Sequence, residues 1–210
     1  MTHSQATNEV PSPIDFHDLE QARAWVEHTV AARPWRPRFF EAFASALNAE
    51  RRPLKVLELG SGPGHLAAAI IASCEIVSYR AVDFSEAMHH LARVHLGHDA
   101  ARIDFLLRDF RNQDWCDGVG PVDAVVTMQA AHEVRHRSRL GPLFEGVLQT
   151  LRPGGLFLMC DHYREHGSAK DPDLYLDRDE QPQALQAVGF RDVRTLLRSG
   201  GMALISARRP

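Results

Sequence analysis

The sequence has few cysteines and no long uninterrupted apolar run. Cys74, Cys116 and Cys160 are scattered and odd in number, which argues against a disulfide framework and fits a reducing compartment. No apolar run is long enough to span a bilayer. The N-terminal "MTHSQATNEVPSP" lacks the basic start and apolar centre of a signal peptide. These absences predict a cytoplasmic protein that does not associate with membranes.

The sequence also lacks a large excess of charge of one sign. It has 24 Lys and Arg against 27 Asp and Glu in 210 residues, a formal net charge of −3. Because a strong positive excess is what attracts nucleic acid or an anionic membrane, neither is an expected partner. The hydrophobic fraction of 44% is ordinary for a globular protein, and the length suits one structural domain.

Hydrophobic periodicity divides the chain into three parts. Residues 1–13 are polar and contain two prolines, so they are predicted to be a disordered tail. Over residues 14–53, apolar residues recur at helical spacing on both sides of "RPWRP", which predicts an N-terminal helical cap. Over residues 54–210, short β-rich runs alternate with helical segments, which predicts an α/β fold with a mostly parallel sheet. The runs around the final "SGG" predict a hairpin with an antiparallel terminal strand.

A glycine-rich loop follows the first predicted strand. "VLELGSGPGHL" (56–66) places Gly60, Gly62 and Gly64 between that strand and the next helix, where a doubly wound sheet binds its ligands. The spacing matches neither a phosphate-binding P-loop nor the G-x-G-x-x-G of dinucleotide sites. A tight turn would explain the glycines alone. Asp83 ends the second predicted strand, however, where an acid accepts hydrogen bonds from ribose hydroxyls, and this favours a ligand site.

Five motifs in order resemble those of the class I S-adenosylmethionine-dependent methyltransferases, over about residues 54–208. They are "ELGSGPG", "AVDFSEAM", "LLRDF", "VDAVVTMQAAHEV" and "LRPGGLFLM". The resemblance implies a doubly wound, Rossmann-like sheet of seven strands, the last antiparallel, with helices on both faces. It also implies S-adenosyl-L-methionine as the cofactor, with S-adenosyl-L-homocysteine as its product.

The same resemblance assigns residues to the cofactor site. Asp83 would hold the ribose, Asp109 the adenine amino group, and Phe110 would lie beside the adenine ring. The full set of expected cofactor contacts is Glu58, Gly60, Ser61, Gly62, Gly64, Asp83, Phe84, Met88, Asp109, Phe110, Met128 and Gln129. Segments before the first motif often cover the substrate pocket in this family. The aromatic residues of that segment are therefore candidates for the pocket lining, although packing on the core explains them equally well: Trp35, Phe39, Phe40 and Phe43.

The stretch after the fourth predicted strand contains a literal H-E-x-x-H, running from His132 through Glu133 to His136. That pattern is the signature of zinc proteases, which carry both histidines on one helix. Here it directly follows a strand, so no metal is predicted and a zinc hydrolase is only a third hypothesis. In related small-molecule methyltransferases a leucine-histidine-histidine stretch often follows this strand, and His132 matches its first histidine.

A second histidine pair, His162 and His166, follows the fifth predicted strand. The carboxyl ends of the fourth and fifth strands are expected to meet at a pocket containing His132, Glu133, Asp161, His162 and Tyr163. His132 and His162 are the candidate catalytic residues, and His132 is the preferred general base. Two other roles are open for the same cluster. Two histidines and a carboxylate would hold a divalent metal ion, or the polar side chains would only shape and hydrate the pocket.

The sequence therefore predicts an enzyme that transfers a methyl group to an oxygen or nitrogen of a small-molecule metabolite. The asparagine-proline-proline-tyrosine stretch typical of nucleic-acid and protein amide methylation is absent after the fourth strand, where "TMQAAH" stands. A regulatory module that binds S-adenosylmethionine without catalysis is the alternative from another class. Both a monomer and a homodimer are compatible with the sequence.

Overall fold

The computed structural model describes residues 9–165 and 170–210, which contain six α-helices and seven strands. The helices are α1 (Leu19–Ala32), α2 (Arg36–Asn48), α3 (His65–Ser73), α4 (Glu86–Leu96), α5 (Leu140–Thr150) and α6 (Glu180–Val188). The strands are β1 (Leu54–Leu59), β2 (Ile76–Asp83), β3 (Ile103–Leu107), β4 (Val122–Met128), β5 (Leu151–His162), β6 (Arg191–Ser199) and β7 (Met202–Arg208).

The strands form one sheet in the order β3-β2-β1-β4-β5-β7-β6. Pairing is parallel from β3 to β5, whereas β7 runs antiparallel to both β5 and β6. The predicted doubly wound, seven-stranded fold with an antiparallel terminal strand is confirmed. The structure adds that β7 lies inside the sheet and β6 forms its edge. The strand order reverses between β1 and β4, the point at which such sheets bind ligands.

Two apolar clusters cover the two faces of the sheet. Phe39 and Phe43 of α2 are fully buried in one of them, and Trp35 and Phe40 pack against the same cluster. A Cβ on Gly200 would overlap the Trp35 ring, so this ring lies directly on the β6–β7 turn. Core packing therefore accounts for these four aromatic side chains, and they do not line the functional cavity described below.

A side-chain cap sets the start of α4, a helix next to this cavity. The Ser85 hydroxyl accepts a hydrogen bond from the Met88 amide at 2.9 Å, which pairs one of the free amides at the start of α4. The same hydroxyl donates to the carbonyl of Phe16. Ser85 therefore caps α4 and also attaches the chain before α1 to this helix. The Asp83 carboxylate instead accepts hydrogen bonds from the Gly62 and Ser85 amides.

The segment before α1 lies against the loop that follows β4. Of the predicted disordered tail, residues 1–8 lie outside the described residues. The Val10 amide donates to the Arg135 carbonyl at 2.9 Å, and the Arg135 guanidinium donates to the carbonyls of Val10 and Pro11 at 2.8 and 2.6 Å. Arg139 adds an ion pair with Glu9 at 2.6 Å. Residues 9–16, here called the N-terminal segment, are thus held over the carboxyl end of β4.

No helix in the described part of the chain is long and apolar enough to cross a membrane.

Candidate functional site

A cavity of about 470 Å³ opens at the carboxyl ends of β1, β2, β4 and β5. Its size falls within the range of roughly 300–1,000 Å³ found for small-molecule sites. It is lined by most of the residues that the sequence predicted for a cofactor and for catalysis, namely Glu58, Gly60, Ser61, Gly62, Asp83, Phe84, Met88, Phe110, Met128, Gln129, His132 and His162. Parallel strands bring these distant positions together, since their carboxyl ends share one edge of the sheet.

Two predicted residues, Gly64 and Asp109, do not line the cavity. Gly64 faces α4 instead, because a Cβ there would lie 3.0 Å from Leu96 Cδ1. The Asp109 carboxylate accepts hydrogen bonds from Arg111 at 2.6 to 3.0 Å. The Arg111 guanidinium in turn lies 5.5 Å from the centre of the Phe84 ring. Both residues therefore support the walls of the cavity from outside.

Asp83 fixes the glycine loop at the floor of the cavity. Its Oδ2 accepts a hydrogen bond from the Gly62 amide at 2.8 Å, and its Oδ1 accepts one from the Ser85 amide at 2.9 Å. Burial raises the pKa of Asp83 to about 6, although these amide hydrogen bonds oppose the shift. One carboxyl group thus joins the loop after β1 to the turn after β2.

The glycine loop brings backbone to the cavity surface. Gly62 has a φ of +52°, and a Cβ at this position would meet nothing within 4 Å. A Cβ on Gly60, by contrast, would lie 2.2 Å from the Cβ of Ala130, just after β4. Gly60 therefore allows two loops to approach each other, while Gly62 leaves open space into which a ligand fits.

Glu58 lies beneath the loop in an apolar setting. It is buried, and it accepts a hydrogen bond from the Tyr79 hydroxyl at 2.8 Å. Burial raises the pKa of Glu58 to about 8, because the charged form loses its water and the hydrogen bond from Tyr79 only partly offsets this. Arg36, at the start of α2, lines the same end of the cavity.

Several buried polar atoms around the cavity have no hydrogen-bond partner within the described residues. They are Arg36 Nε, Ser61 Oγ, His65 Nε2, Gln129 Oε1 and His162 Nδ1. An unpaired buried polar group is costly and rare in folded proteins. Gln129 also has a φ of +57°, an uncommon conformation for a residue with a side chain. All five residues line one cavity, so a polar ligand bound there would find unpaired groups to bond.

Both ring nitrogens of His132 are paired with carboxylates. Nδ1 lies 2.7 Å from Asp161 Oδ1, and Nε2 lies 3.3 Å from Glu133 Oε1. Burial alone would lower the pKa of His132, but these two carboxylates outweigh it and raise the pKa well above the usual value. His132 is therefore protonated at neutral pH and has no free lone pair. This environment does not favour His132 as the general base that the sequence predicts.

The H-E-x-x-H residues are not arranged as in a zinc protease. His132 lies in a short 3₁₀ turn (Ala131–Val134), and Arg135 then adopts a φ of +63° that ends it. The His136 ring turns to Ser138, with Nδ1 2.7 Å from its hydroxyl. The two histidines thus do not share a helical face. Within the described residues, no group of three or more His, Cys, Asp or Glu side chains is placed to hold a metal ion. His166 lies outside those residues.

His162 has the opposite environment to His132. Burial, helped by the positive charges of His132 and Lys170, lowers the pKa of His162 to about 4 in spite of the nearby Asp161. Its Nε2 lies 3.0 Å from the side-chain amide of Gln129. His162 is therefore neutral at pH 7 and faces the cavity. Tyr163, predicted for the same cluster, packs in the apolar core instead.

Sequence reasoning did not place several further cavity residues in the site. Tyr175 lies beside the histidines, with ring centres 5.2 Å from His132 and 6.0 Å from His162. Arg33 and Arg36 come from the junction of α1 and α2, which the sequence marks only by the prolines of "RPWRP". No motif signals these residues, because only the packing of the cap on the sheet brings them to the cavity.

The fold and the cavity together define a doubly wound α/β protein with a ligand site at the carboxyl ends of its strands. Residues 56–155 match the family model of a methyltransferase domain. The resemblance to class I S-adenosylmethionine-dependent methyltransferases is thereby confirmed over these residues. A comparison with curated protein sequences found no significant match.

Solved structures share this fold at low sequence identity. An O-methyltransferase family protein from Burkholderia thailandensis is 16% identical, with a TM-score of 0.75 over 92% of this chain and 60% of that one. DhpI in complex with SAH is 21% identical, with a TM-score of 0.70 over 91% and 94% of the two chains. The [4+2]-cyclase SpnF is 17% identical, with a TM-score of 0.66 over 82% and 80%. The chain spans 49% to 60% of the length of the first three structures it matches.

Proposed function

We propose that this protein is a methyltransferase that uses S-adenosylmethionine to methylate an oxygen or nitrogen of a small-molecule metabolite. One observation carries the proposal: the glycine loop held by Asp83 opens onto a cavity in which several buried polar atoms lack partners. The methyltransferase-domain match and the likeness to DhpI with bound SAH support it. The [4+2]-cyclase with the same fold shows that fold alone does not establish methyl transfer.

The residues around the cavity fit the parts of this cofactor. The Asp83 carboxylate would bind the ribose hydroxyls, and the side chains of Phe84, Met88 and Phe110 would enclose the adenine. The amino-acid end would lie by the glycine loop, where the Arg36 guanidinium pairs with its carboxylate. When bound, S-adenosylmethionine supplies a methyl group on a cationic sulfur, which leaves readily.

The cap contributes by positioning the reactants and excluding water. Phe16 of the N-terminal segment packs edge-on against Trp25 of α1 at 5.2 Å and against Phe84 at 6.3 Å between ring centres. The cap thereby covers the cofactor end with aromatic rings. Direct displacement at a methyl carbon requires the nucleophile in line with the leaving group, so such enclosure supplies much of the acceleration.

His162 is the group that would take a proton from the acceptor. It is neutral, it faces the cavity, and its Nδ1 has no partner within the described residues. The Gln129 atom that lies 3.0 Å from Nε2 is the amide nitrogen. The base role therefore requires the Gln129 amide to be turned over, so that its oxygen accepts from Nε2–H and Nδ1 keeps a lone pair for the acceptor's hydroxyl or amine. The chain of Asp161, His132 and Glu133 beside it is then a structural support. A cytoplasmic location, a capping role for residues 14–53 and a monomeric or homodimeric state complete the proposal.

Cofactor binding is the direct test of the proposal. Titration calorimetry is expected to show S-adenosylhomocysteine binding to the wild type. Asp83→Ala is expected to weaken it about tenfold to a hundredfold, since hydrogen bonds to a charged group contribute roughly 1.5–3 kcal/mol. Asp99→Ala removes an exposed carboxylate outside the cavity and is expected to bind normally. Absence of binding at millimolar ligand, or binding that Asp83→Ala does not affect, would overturn the proposal.

Two glycines provide a matched test of where the cofactor lies. Gly62 and Gly118 both have positive φ, and a Cβ on either would meet no protein atom within 4 Å. Alanine at either position is expected to cost about 1–2 kcal/mol of unfolding free energy. Only Gly62→Ala places a methyl group in the cavity. It is expected to weaken S-adenosylhomocysteine at least tenfold, since overpacking costs roughly 1–3 kcal/mol.

Denaturant unfolding and calorimetry on both glycine variants measure these effects separately. Equal affinities for S-adenosylhomocysteine in Gly62→Ala and Gly118→Ala would place the cofactor away from the loop.

A further inference from the structure

Two arginines at the α1–α2 junction line the cavity without an anionic partner. Arg33 and Arg36 are half-buried, and neither side chain makes a hydrogen bond or ion pair with another described residue. Both guanidinium groups are partly removed from water, and this burial lowers the pKa of each. A cation that is desolvated and unpaired in a folded protein calls for an anion from outside the chain.

Two carboxylates at the histidine end of the cavity are already engaged with other cations. Asp161 binds His132 at 2.7 Å, and Glu133 bridges from His132 to Arg135 at 3.3 and 3.1 Å. This chain of four residues balances two negative charges with two positive ones. The other two acids of the cavity accept from neutral groups, Glu58 from the Tyr79 hydroxyl and Asp83 from backbone amides, so neither forms an ion pair with Arg33 or Arg36.

The two arginines line the same cavity, and the charge of Arg33 helps to lower the pKa of Arg36, but the acids that act on them differ. The charged neighbours that act on Arg36 include Glu58, beneath the glycine loop, where the proposed function puts the cofactor carboxylate. The neighbours that act on Arg33 are Tyr175, whose ring lies by His162, and Asp161, next to His162 at the end of β5. Arg33 thus remains unpaired on the acceptor side once the cofactor is bound.

We propose that the methyl acceptor is a small organic acid, whose carboxylate is held by Arg33 and the Tyr175 hydroxyl while a separate hydroxyl or amine faces His162. This inference rests on the proposed function and names its substrate class. A guanidinium binds a carboxylate through two parallel hydrogen bonds, which fixes orientation as well as charge.

The surroundings of Tyr175 suit this role. Burial raises its pKa to about 12, so its hydroxyl stays protonated and donates to the anion. Its ring lies 6.0 Å from that of His162, which leaves the two groups side by side around one small molecule. A dianionic phosphate is less well matched, because with Arg36 engaged by the cofactor only one guanidinium and one neutral phenol are left to bind it.

The reaction leaves the anchoring carboxylate unchanged. The acceptor's hydroxyl or amine forms a bond to the methyl carbon, and its proton passes to His162. The carbon–sulfur bond breaks, and its electron pair stays on sulfur. The product is an ether or N-methyl compound that still carries its carboxylate.

The test uses a small-metabolite extract separated on an anion-exchange resin into an acid pool and a non-acid pool. Each pool is incubated with the full chain and S-adenosylmethionine labelled in its methyl group. The variants are Arg33→Gln, Arg33→Lys and, as a control, Arg38→Gln, which changes an exposed arginine of α2 outside the cavity. Affinity for S-adenosylhomocysteine is measured for each variant to verify folding and cofactor binding.

Label is expected in a compound of the acid pool that still binds the resin. Arg33→Gln is expected to raise KM for it about tenfold to a hundredfold, with a smaller change in kcat. Arg33→Lys is expected to recover part of this loss, and Arg38→Gln to match the wild type. Label only in the non-acid pool, a methyl-ester product, or an unchanged KM in Arg33→Gln would overturn the inference. No label in either pool, with S-adenosylhomocysteine still bound, would refute methyl transfer itself.

Discussion

Replacing His162 with glutamine is expected to lower the turnover of methyl transfer by about 10²–10⁴-fold, the range typical for loss of a general base. Glutamine retains the contact with Gln129 but has no basic nitrogen, so S-adenosylhomocysteine is expected to bind as in the wild type. Single-turnover kinetics with a labelled methyl group measure the step directly. His136→Gln changes a histidine outside the cavity and is the matched control.

The pH dependence distinguishes the two histidines. Because the pKa of His162 lies at about 4, this base is already neutral at pH 6, and turnover is expected to be flat between about pH 6 and 8. If the base had an ordinary histidine pKa, turnover would rise as the pH passes about 6.5. If His132 were the base, its raised pKa would move that rise in turnover to alkaline pH. Wild-type turnover in His162→Gln would mean that positioning alone accelerates the reaction.

Asp161→Ala is expected to lower the free energy of unfolding by about 3–5 kcal/mol, the usual cost of removing one partner of a buried ion pair. Its Oδ1 binds the His132 ring, and its Oδ2 accepts from the His132 amide at 2.9 Å. The substitution leaves the imidazolium with only Glu133. Asp99→Ala removes an exposed carboxylate paired with Arg102 at 3.2 Å and is expected to cost no more than about 1 kcal/mol.

The stability difference between wild type and Asp161→Ala is also expected to depend on pH. His132 has a raised pKa in the folded state, so its contribution is complete below the unfolded value of 6.5 and is lost as pH rises toward about 10. Asp161 has a lowered pKa, so its contribution is complete above 3.8 and is lost as pH falls below that value. Denaturant unfolding is therefore expected to show the largest difference between about pH 4 and 6.5. A small difference that does not change with pH would contradict the buried ion pair.

The sequence predicted the order of the elements and most of the cofactor end of the cavity. Local patterns specify these features, since apolar runs define strands and glycines mark the loop after β1. The sequence could predict that Asp83 and the glycine loop form one site, because the carboxyl ends of adjacent parallel strands lie together. For Asp109 the motif predicts a ligand contact, which stays a prediction, and the structure adds that its carboxylate accepts from Arg111, two residues along the chain.

The sequence by itself determined a doubly wound sheet, a glycine loop with its acid, and histidines after the fourth and fifth strands. Only the tertiary structure decided the environment and the pKa of each of those histidines. His132 and His162 look equivalent in sequence, but one lies between two carboxylates and the other in a desolvated wall, so their pKa values move in opposite directions. The same holds for Arg33, whose place depends on how the cap packs over the sheet. Burial and charge depend on neighbours distant in the chain, and no local pattern encodes them.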